Sequence, residues 1–313
     1  MDRRRIVALS GGVGGAKLAL GLSRVLAASE LTVIANTADD FEHLGLYIAP
    51  DLDTVMYTLA GINNAAQGWG LADESWQCMA ALERLGGDSW FRLGDRDIAT
   101  HLLRSQLLAQ GDSLTGVTAR LCRALGVEHR LLPMCDAKVD TWVMTDQGEL
   151  PFQHYFVREQ CRPVASGFRF AGIEQARIST AVQQAIDDMD ALVVCPSNPF
   201  VSVAPILAVP GMRQALLASG KPRIVVSPII GGQAVKGPAA KMLAELSLPV
   251  NALAVASHYR DFASHFVLDS ADTCYQSAIE ALGLQVLVCN TLMQTLDDRI
   301  TLASRVLSQV GQD

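Results

Sequence analysis

Four glycines and a lysine follow the first apolar run of the chain, in the segment SGGVGGAK at residues 10–17. A dinucleotide-binding fingerprint would have a third glycine where Lys17 stands, and a Walker loop would have Gly-Lys-Ser/Thr where this chain has Ala-Lys-Leu. Glycines between a strand and a helix still let backbone N–H groups approach an anion at the helix N-terminus. We therefore predict a phosphate-binding loop, the alternative being only a tight turn. Its candidate residues are Gly11, Gly12, Gly14, Gly15 and Lys17.

Carboxylates are concentrated after the second apolar run, in NTADDFEHLGLYIAPDLDT at residues 36–54. Asp53 and Thr54 have the residue types of a helix N-cap, but capping accounts for one carboxylate and not for four. A magnesium ion beside a phosphate usually has one or two carboxylate ligands together with phosphate oxygens. We predict that at least one of these carboxylates binds a metal or acts as a base. The four are Asp39, Asp40, Asp51 and Asp53.

Three more segments carry polar groups that could line a site. Arg92 and Arg96 lie in WFRLGDRDIATHLLR (90–104), where they could clamp a phosphate or simply be solvated. The loops CPSNPFVSVAPILAVPGM (195–212) and SPIIGGQAVKGPAAKM (227–242) follow apolar runs, where α/β folds place their sites, although ordinary turn chemistry is the alternative. Their candidate binding residues are Ser197, Asn198, Gly231 and Gly232.

The elements that must position these loops alternate between short apolar runs and amphipathic helical patterns. Runs that are apolar throughout are typical of parallel strands buried on both faces. Helical patterns such as PGMRQALLASG and KGPAAKMLAEL separate several of the runs. This alternation predicts an α/β fold with a Rossmann-like, doubly wound, mostly parallel sheet. The predicted strands cover residues 5–10, 31–36, 191–196, 223–228, 251–256 and 284–289.

The middle of the chain has a different pattern. Residues 71–126 are helical in character, with aspartate or serine at the expected helix starts, and residues 139–157 predict a two-stranded β-hairpin around DQGE. We therefore expect a Rossmann-like core formed by residues 1–70 and 190–313, and a helical insert plus β-hairpin formed by residues 71–189. The ligand should lie beyond the carboxyl ends of the strands, where the strand order reverses.

Composition excludes several classes of function. The 313 residues are half hydrophobic, enough for a sizeable core, and the formal net charge of −7 argues against a nucleic-acid binder, which would show a basic face. The basic lead-in MDRRR precedes an apolar run that the glycine segment cuts short, so we expect no signal peptide, no membrane span and no membrane partner. Seven scattered cysteines without a C-x-x-C pair favour reduced thiols and a cytoplasmic protein.

Five segments together, in this order, resemble the 2-phospho-L-lactate transferase family, which works in the biosynthesis of the deazaflavin coenzyme F-420. The resemblance extends from residue 5 to about residue 270 and is far more specific than a lone glycine loop. The segments that carry it are LSGGVGGAK, NTADDFEHLGLYIAPDLDT, LGDRDIATHLLR, SNPFVSVAPILAVPGM and VSPIIGGQAVKGPAAKM.

This resemblance implies a magnesium-dependent transfer between two small molecules. A three-carbon phosphoacid, activated by linkage to a guanosine diphosphate, would be transferred to the terminal ribityl hydroxyl of the deazaflavin Fo, with release of GMP. Family members differ in the acid, which is 2-phospholactate, phosphoenolpyruvate or 3-phosphoglycerate. One hydroxyl or double bond is too small a difference to infer from the sequence of an unseen pocket.

The same resemblance implies roles for individual residues. In the family an aspartate matching Asp53 and a basic residue matching Arg92 contact the deazaflavin. Some members have lysine at the second position, so Arg92 would replace a point charge with a bidentate fork. With this chemistry we expect Asp40 and Asp51 to bind Mg²⁺, and Asp53 and Asp51 to be catalytic. The diphosphate and the remaining donor groups would be held by Gly11, Gly12, Gly14, Gly15, Lys17, Ser197, Asn198, Gly231 and Gly232.

Two other functions compete with the transferase. A related family with a similar glycine loop and SNP segment contains non-catalytic regulators that bind UDP-sugars, but a pure binder would not require the intact PDLDT and GDRD segments. A nicotinamide-dependent dehydrogenase is disfavoured because the third glycine is missing and Asn36 and Thr37 stand where a ribose-binding acid belongs. The oligomeric state stays open, with a homodimer as the expectation, because α/β enzymes of this size often dimerise.

Overall fold

The structure of the chain, a computed structural model, describes residues 4–310. Numbered in chain order, its strands are β1 (Ile6–Ser10), β2 (Leu31–Ala35), β3 (Phe41–His43), β4 (Leu46–Ile48), β5 (Arg130–Pro133), β6 (Asp140–Thr145), β7 (Gly148–Pro151), β8 (Ala165–Ala171), β9 (Ala191–Val194), β10 (Arg223–Val226), β11 (Ile229–Ile230), β12 (Gln233–Ala234), β13 (His265–Asp269) and β14 (Gln285–Cys289). Its α-helices are α1 (Gly12–Val25), α2 (Pro50–Ala60), α3 (Gln77–Arg84), α4 (Asp95–Ala109), α5 (Leu114–Ala124), α6 (Thr180–Asp188), α7 (Ala204–Ala208), α8 (Met212–Ala218), α9 (Ala239–Glu245), α10 (Ala252–Tyr259), α11 (Gln276–Glu280) and α12 (Leu296–Leu307).

Seven of the strands form one parallel sheet in the order β14-β13-β10-β9-β1-β2-β5. All five residues of β1 are buried, as an uninterrupted apolar run predicts for a central strand covered on both faces. From β1 the chain runs outward through β2 to β5, then returns to β9 on the other side of β1 and continues outward to β14. The strand order therefore reverses between β1 and β9, and the predicted doubly wound α/β sheet is confirmed.

Side-chain alternation along β1 divides the core into two layers. Ile6 and Ala8 belong to the layer that includes α1, α2 and α12, whereas Val7 and Leu9 belong to the layer that includes α6, α8 and α10. Helix α1 approaches α12 closely, and a Cβ at Gly21 would lie 2.1 Å from the carbonyl oxygen of Arg299. This packing holds the N-terminal end of α1 beyond the carboxyl end of β1, where the glycine segment lies.

One predicted strand is wrong. Residues 251–256 (NALAVA) begin the helix α10, and the side chain of Asn251 caps that helix by accepting the N–H of Ala254 at 2.8 Å. A short run of alanine, leucine and valine fits a buried helix as well as a strand. The place beside β10 belongs instead to β13, which, like β5, is absent from the predicted strands.

Between β4 and β9 the chain forms helices and a small antiparallel sheet. Helices α3, α4 and α5 follow the helical pattern of residues 71–126, and β6 and β7 form the predicted hairpin. β8 adds a third strand to β6, while residues 154–158, at the end of the predicted hairpin, form a π-helical turn instead. β5 pairs with β2 in the main sheet although it lies within residues 71–189. The division into core and insert stays a prediction.

The lengths of the helices can be compared with the expectation that the chain has no membrane span. Across residues 4–310 no single helix is long and apolar enough to cross a membrane. One bent pair, Pro199–Ala208 with Met212–Ala218, qualifies by length and composition alone, and its halves are bent by 81°. The expected location and the expected homodimer stay predictions.

Candidate active site

A cavity of about 460 Å³ lies beyond the carboxyl ends of β1, β9 and β10, where the strand order reverses. Its walls come from the segments that follow these strands and β14, from the N-terminal halves of α2 and α4, and from the turn after β7. This is the position expected from the topology. The predicted site residues that line it are Gly11, Gly12, Gly14, Lys17, Asp51, Asp53, Arg92, Ser197 and Asn198.

The glycine segment forms the N-terminus of α1, which begins at Gly12 with a φ of +62°. An α-helix leaves its first four N–H groups without partners inside the helix. Here the N–H of Gly11 donates to Ser197 Oγ at 3.0 Å, and the N–H of Gly12 donates to Asp51 Oδ1 at 2.7 Å. The next two residues also line the cavity, and their N–H groups make this helix end suited to an anion.

Close packing requires two of the glycines whatever the ligand is. A Cβ at Gly14 would lie 2.4 Å from the carbonyl oxygen of Pro196, and a Cβ at Gly15 would lie 2.4 Å from Ser10 Oγ. Gly14 also lines the cavity, but Gly15 does not. The structure therefore gives Gly15 a packing role against Ser10 and Ser197, and the binding role predicted for its backbone stays a prediction.

The loop after β9 is tied to the glycine segment. The hydroxyl of Ser197 donates to the carbonyl oxygen of Gly11 at 2.8 Å and accepts the N–H of the same residue. Asn198 uses its side-chain oxygen to accept the N–H of Phe200 at 2.9 Å, so it shapes the turn that enters the cavity wall. Both predicted residues line the cavity, and both also hold the loop in place.

The loop after β10 reaches the cavity through residues other than those predicted. Gly231 and Gly232 form the turn between β11 and β12, with φ values of +55° and +76° that favour glycine, and they do not line the cavity. The N–H of Gly231 donates to Asp272 Oδ2 at 2.9 Å. Lys236 lines the cavity instead, and its ammonium group contacts the carbonyl oxygen of Gln67.

Lys17 lies in α1 and lines the cavity, as predicted from its place after the glycines. Its Nζ donates to the carbonyl oxygen of Met293 at 3.0 Å. Burial lowers the pKa of Lys17, and the charges of Arg299 and Lys236 lower it further. The chain as a whole has a net charge of −7, but Lys17, Lys236 and Arg299 lie close enough together to interact here. Their positive charges make this part of the cavity wall attractive to a phosphate.

Asp39 and Asp51 are buried carboxylates on the cavity wall beside the glycine segment. Besides accepting the N–H of Gly12, Asp51 accepts the side-chain amide of Asn36 at 2.9 Å through Oδ2. Asp39 Oδ1 has no hydrogen-bond partner in the part of the chain that the structure describes. Burial raises the pKa of Asp51 to about 6, and burial together with the charge of Asp51 raises the pKa of Asp39 well above its usual range. A bound cation would relieve this repulsion.

Asp40, expected to bind metal together with Asp51, does not line the cavity. Its Oδ2 accepts the hydroxyl of Tyr47 at 3.0 Å. Burial raises the pKa of Asp40 well above its usual range, although the charge of Arg104 acts in the opposite direction. Consecutive side chains point in different directions, and in this turn it is Asp39 that faces the cavity. The structure therefore places Asp39 and Asp51, and not Asp40, on the cavity wall, while metal binding by Asp40 and Asp51 stays a prediction.

A second polar group, which we name the α2–α4 seam, joins two helices at the cavity wall. Asp53 and Tyr57 are one turn apart on α2, and Asp97, His101 and Arg104 lie at helical spacing on α4. Arg104 is 1% exposed and binds both carboxylate oxygens of Asp53, through Nη1 at 3.0 Å and through Nη2. The hydroxyl of Tyr57 donates to Asp97 Oδ1 at 2.7 Å. Four of the five residues line the cavity, Arg104 being the exception.

His101 lies between the charges of the seam. Its Nδ1 is 3.2 Å from Arg104 Nη1, and its Nε2 is 3.3 Å from Asp97 Oδ1. Because a guanidinium N–H can only donate, Nδ1 is assigned as the acceptor and the ring proton of the neutral imidazole belongs on Nε2. Burial acts to raise the pKa of Asp97, but its contact with His101 and the other seam contacts bring it below its usual value.

The seam also offers a set of metal ligands. One donor atom from each of Asp53, Asp97 and His101 lies within 4.8 Å of the others, a spacing that could hold an ion. The guanidinium of Arg104 already supplies a positive charge to two of these three groups. That guanidinium would repel a metal ion at this position, whereas no cation among the described residues contacts Asp39 or Asp51.

The rim of the cavity is apolar and exposed. Trp69, Phe156 and Val235 are 45%, 39% and 53% exposed, and all three line the cavity. Arg92, expected to contact the deazaflavin, also lines it, with its guanidinium carbon 4.8 Å from the centre of the Trp76 ring. Exposed apolar groups gathered around one cavity are typical of a ligand-binding mouth.

The sequence prediction does not include most of the seam. Its signal is a polar stripe at positions 97, 101 and 104, the spacing of one helix face, in the helical pattern of residues 95–109. Such a stripe usually indicates a solvated helix face, and only the packing of α4 against the cavity wall shows that it is buried. Asp39 is among the predicted carboxylates but without an assigned role.

Comparisons with known proteins bear on this site. The model of the family described as 2-phospho-L-lactate transferase CofD matches residues 6–291. A phosphoenolpyruvate transferase from Kitasatospora aureofaciens is 44% identical over 315 residues, covering 98% of this chain and 98% of its own length. A 2-phospho-L-lactate transferase from Methanosarcina acetivorans is 38% identical, covering 96% of this chain and 98% of its own length.

Among solved structures, a protein of the UPF0052 family from Bacillus halodurans has a similar fold. The TM-score is 0.66, with 13% sequence identity, over 98% of this chain and 99% of the other. At this identity the similarity extends to the fold alone.

Proposed function

The chain belongs to the 2-phospho-L-lactate transferase family, and we propose that it moves a three-carbon phosphoacid group from a guanosine diphosphate-linked donor to the terminal ribityl hydroxyl of Fo, releasing GMP. The family resemblance inferred from the five segments is thereby confirmed, and with it a phosphoacid transferase activity in coenzyme F-420 biosynthesis. The donor, the acceptor and the leaving group are the proposal. One observation carries it: a helix N-terminus, a pair of buried carboxylates and Asp53 line the same cavity.

The donor diphosphate would lie against the N-terminus of α1. Val13 and Gly14, in the first turn of this helix, line the cavity, and the helix dipole favours negative charge at this end. Lys17 and Lys236, which line the same cavity, add positive charge without a bidentate fork. Together these groups would hold the diphosphate and stabilise the charge that GMP carries as it leaves.

Magnesium is the cation that the proposal requires, and the residues present fit it. Asp39 contributes a buried carboxylate oxygen without a hydrogen-bond partner, and Asp51 contributes a second carboxylate fixed in orientation by Gly12 and Asn36. Hard oxygen ligands beside a phosphate are the set that Mg²⁺ prefers. When bound, the ion would neutralise charge on the diphosphate.

Asp53 would orient the attacking hydroxyl. Its bidentate contact with Arg104 uses two of about four lone-pair positions of the carboxylate and leaves the others for the cavity. As the hydroxyl oxygen bonds to the phosphorus next to the three-carbon acid, its proton passes to solvent water and the bond from that phosphorus to the oxygen of GMP breaks. Phosphoryl transfer depends mainly on positioning and charge stabilisation, so an orienting carboxylate suits it.

An end-point assay tests the proposal. The protein is incubated with Fo, Mg²⁺ and the guanosine diphosphate-linked forms of 2-phospholactate, phosphoenolpyruvate and 3-phosphoglycerate together, because the names of its relatives divide between two donors. Mass spectrometry of the deazaflavin product then identifies the acid, and GMP should appear in equal amount. Asp53→Asn serves as the control for enzyme-dependent product.

Two results would contradict the proposal. No Fo adduct with any of the three donors would exclude this transfer, and an adduct without GMP would exclude the proposed leaving group. Titration with a UDP-sugar tests the competing regulator: tight binding of the UDP-sugar, with no binding of Fo by fluorescence, would favour that function instead.

A further inference from the structure

Arg104 is among the largest side chains that are almost completely buried in residues 4–310, and it carries a full charge. It does not line the cavity, but both side chains that its guanidinium contacts, Asp53 and His101, do. A buried charge is costly unless it is paired and hydrogen-bonded. The residue is therefore placed to act on the cavity through its neighbours.

Sequence spacing explains how this arrangement arises. Asp97, His101 and Arg104 lie at positions i, i+4 and i+7 of α4, so they share one face. That face packs against the first turns of α2, which present Asp53 and Tyr57 at i and i+4. Both helices therefore contribute polar groups to one buried layer, in which Arg104 is the cation nearest the carboxylate of Asp53.

The charges around Arg104 favour its ionised form. Burial acts to lower the pKa of Arg104, but the charge and hydrogen bonds of Asp53 raise it above its usual value, with Tyr57 and Asp40 acting in the same direction. One guanidinium thus offsets the repulsion among carboxylates that would otherwise be buried together. A lysine would supply the charge but could not bind both oxygens of Asp53 in a fixed plane.

We propose that Arg104 is a positioning residue. It holds the Asp53 carboxylate and the His101 ring in the orientations in which they contact the acceptor hydroxyl. Two parallel N–H donors set the plane of the carboxylate, and the contact with Nδ1 sets the ring orientation and the tautomer of the histidine. Arg104 itself does not touch either substrate. This inference rests on the proposed transfer to Fo.

Chemical rescue tests the inference. Arg104→Ala leaves a void next to two cavity-lining groups, which free guanidinium can enter from the cavity. Leu107→Ala is the matched control, because Leu107 is buried on the same helix, has an apolar side chain and does not line the cavity. Arg104→Lys keeps the charge and removes the fork. Turnover, KM for the donor and for Fo, and Tm are measured with and without guanidinium far below denaturing concentration.

We expect kcat of the Arg104→Ala variant to fall by about 10²-fold, with KM for the donor little changed because the N-terminus of α1 is intact. Guanidinium should raise that kcat by about tenfold or more and should also raise Tm, since it binds the folded variant. Neither increase is expected for Leu107→Ala or for the wild type. Arg104→Lys should have a kcat closer to that of Arg104→Ala than to that of the wild type.

Several results would overturn the inference. A rise in Tm without a rise in kcat would show a purely structural role, and an equal rescue of Leu107→Ala would show a nonspecific effect. Wild-type kcat in Arg104→Lys would show that the fork is not needed, and this variant also decides the matter if Arg104→Ala does not fold. An inactive wild type would overturn the proposed transfer and this inference with it, so the wild-type assay is read first.

Discussion

Two parts of the cavity wall differ in whether their buried carboxylates contact a cation. On the glycine-loop side, which comprises Gly12, Asn36, Asp39 and Asp51, the carboxylates receive only neutral donors from the described part of the chain. In the α2–α4 seam, Asp53 receives a guanidinium from the protein itself. Burial raises the pKa of both carboxylates on the first side, whereas the contacts of the seam bring the pKa of Asp97 below its usual value.

In one region the protein itself supplies the counter-charge for the buried carboxylates, and in the other a ligand would have to supply it. The seam already contains its counter-charge, so its geometry is set before any substrate arrives, which is the condition for positioning a reacting hydroxyl. The carboxylates of the glycine-loop side have no cationic contact among the described residues, so a divalent cation would supply the missing counter-charge. We therefore expect substitutions in the two regions to change stability with opposite signs.

The largest effect is expected for Asp53→Asn in the seam. The change leaves Arg104 buried with a neutral partner, so the free energy of unfolding should fall by about 3–5 kcal/mol and turnover by about 10²-fold. Denaturant titration and steady-state kinetics measure the two effects. Asp53→Leu combined with Arg104→Met should recover much of the stability and none of the turnover. A single variant as stable as the wild type would show that the seam does not depend on its ion pair.

A pH effect of about 2 kcal/mol is expected on the glycine-loop side. Because the folded-state pKa values of Asp51 and Asp39 lie above their unfolded values, their contribution to stability is present below about pH 4 and is lost as pH rises, for Asp51 through about pH 6. Groups with lowered pKa, such as Asp97, have the opposite slope. The quantity to measure is therefore the free energy of unfolding of the wild type minus that of Asp51→Asn. A difference that does not change with pH would contradict the raised pKa values.

Magnesium should restore the stability that the glycine-loop side loses as pH rises. At pH 8 the ion should raise Tm of the wild type more than it does at pH 5, because the ionised carboxylates bind it. Asp39→Asn should abolish the difference, while Glu42→Gln, a change at an exposed neighbour, should preserve it. NaCl of equal ionic strength corrects for screening. An undiminished magnesium effect in Asp39→Asn would place the cation elsewhere.

Asp39→Asn without magnesium should stabilise the protein. Removing one of two mutually repelling buried charges should raise the free energy of unfolding at pH 7.5 by about 1 kcal/mol, while turnover falls. Asp39→Asn should raise the free energy of unfolding, whereas Asp53→Asn should lower it. This difference in sign is the most direct test of the comparison. Loss of stability in both variants would show that the two regions do not differ as described.

The smallest effect is expected for Arg92→Lys at the rim. Lysine keeps the charge but lacks the planar guanidinium that packs on the Trp76 ring, so the basic group is held less firmly and KM for Fo should rise by about two- to fivefold, equivalent to about 0.5–1 kcal/mol, with kcat unchanged. Steady-state kinetics at varied Fo concentration measures this. A fall in kcat would place Arg92 at the reacting atoms rather than at the rim.

Local patterns account for the parts of the fold that the sequence predicts. The segment from β1 through the glycines to α1 needs only neighbouring residues to be recognised, and so does the hairpin of β6 and β7. The failures are short apolar runs: residues 251–256 form a helix because Asn251 caps it, and β13 is not among the predicted strands. Periodicity alone cannot separate a buried strand from a buried helix of this length.

The features of the candidate site also divide into those that local sequence predicts and those that depend on tertiary packing. The amino-acid sequence is sufficient for the α/β class, the glycine-rich helix N-terminus and the concentration of aspartates after β2, because each depends on residues close together in the chain. The tertiary structure alone decides that Asp39 faces the cavity in place of Asp40, and that Asp53 has a cation while Asp51 has none. The physical reason is that Arg104 is 51 residues away from Asp53 in sequence, and only the packing of α4 against α2 brings its guanidinium to that carboxylate.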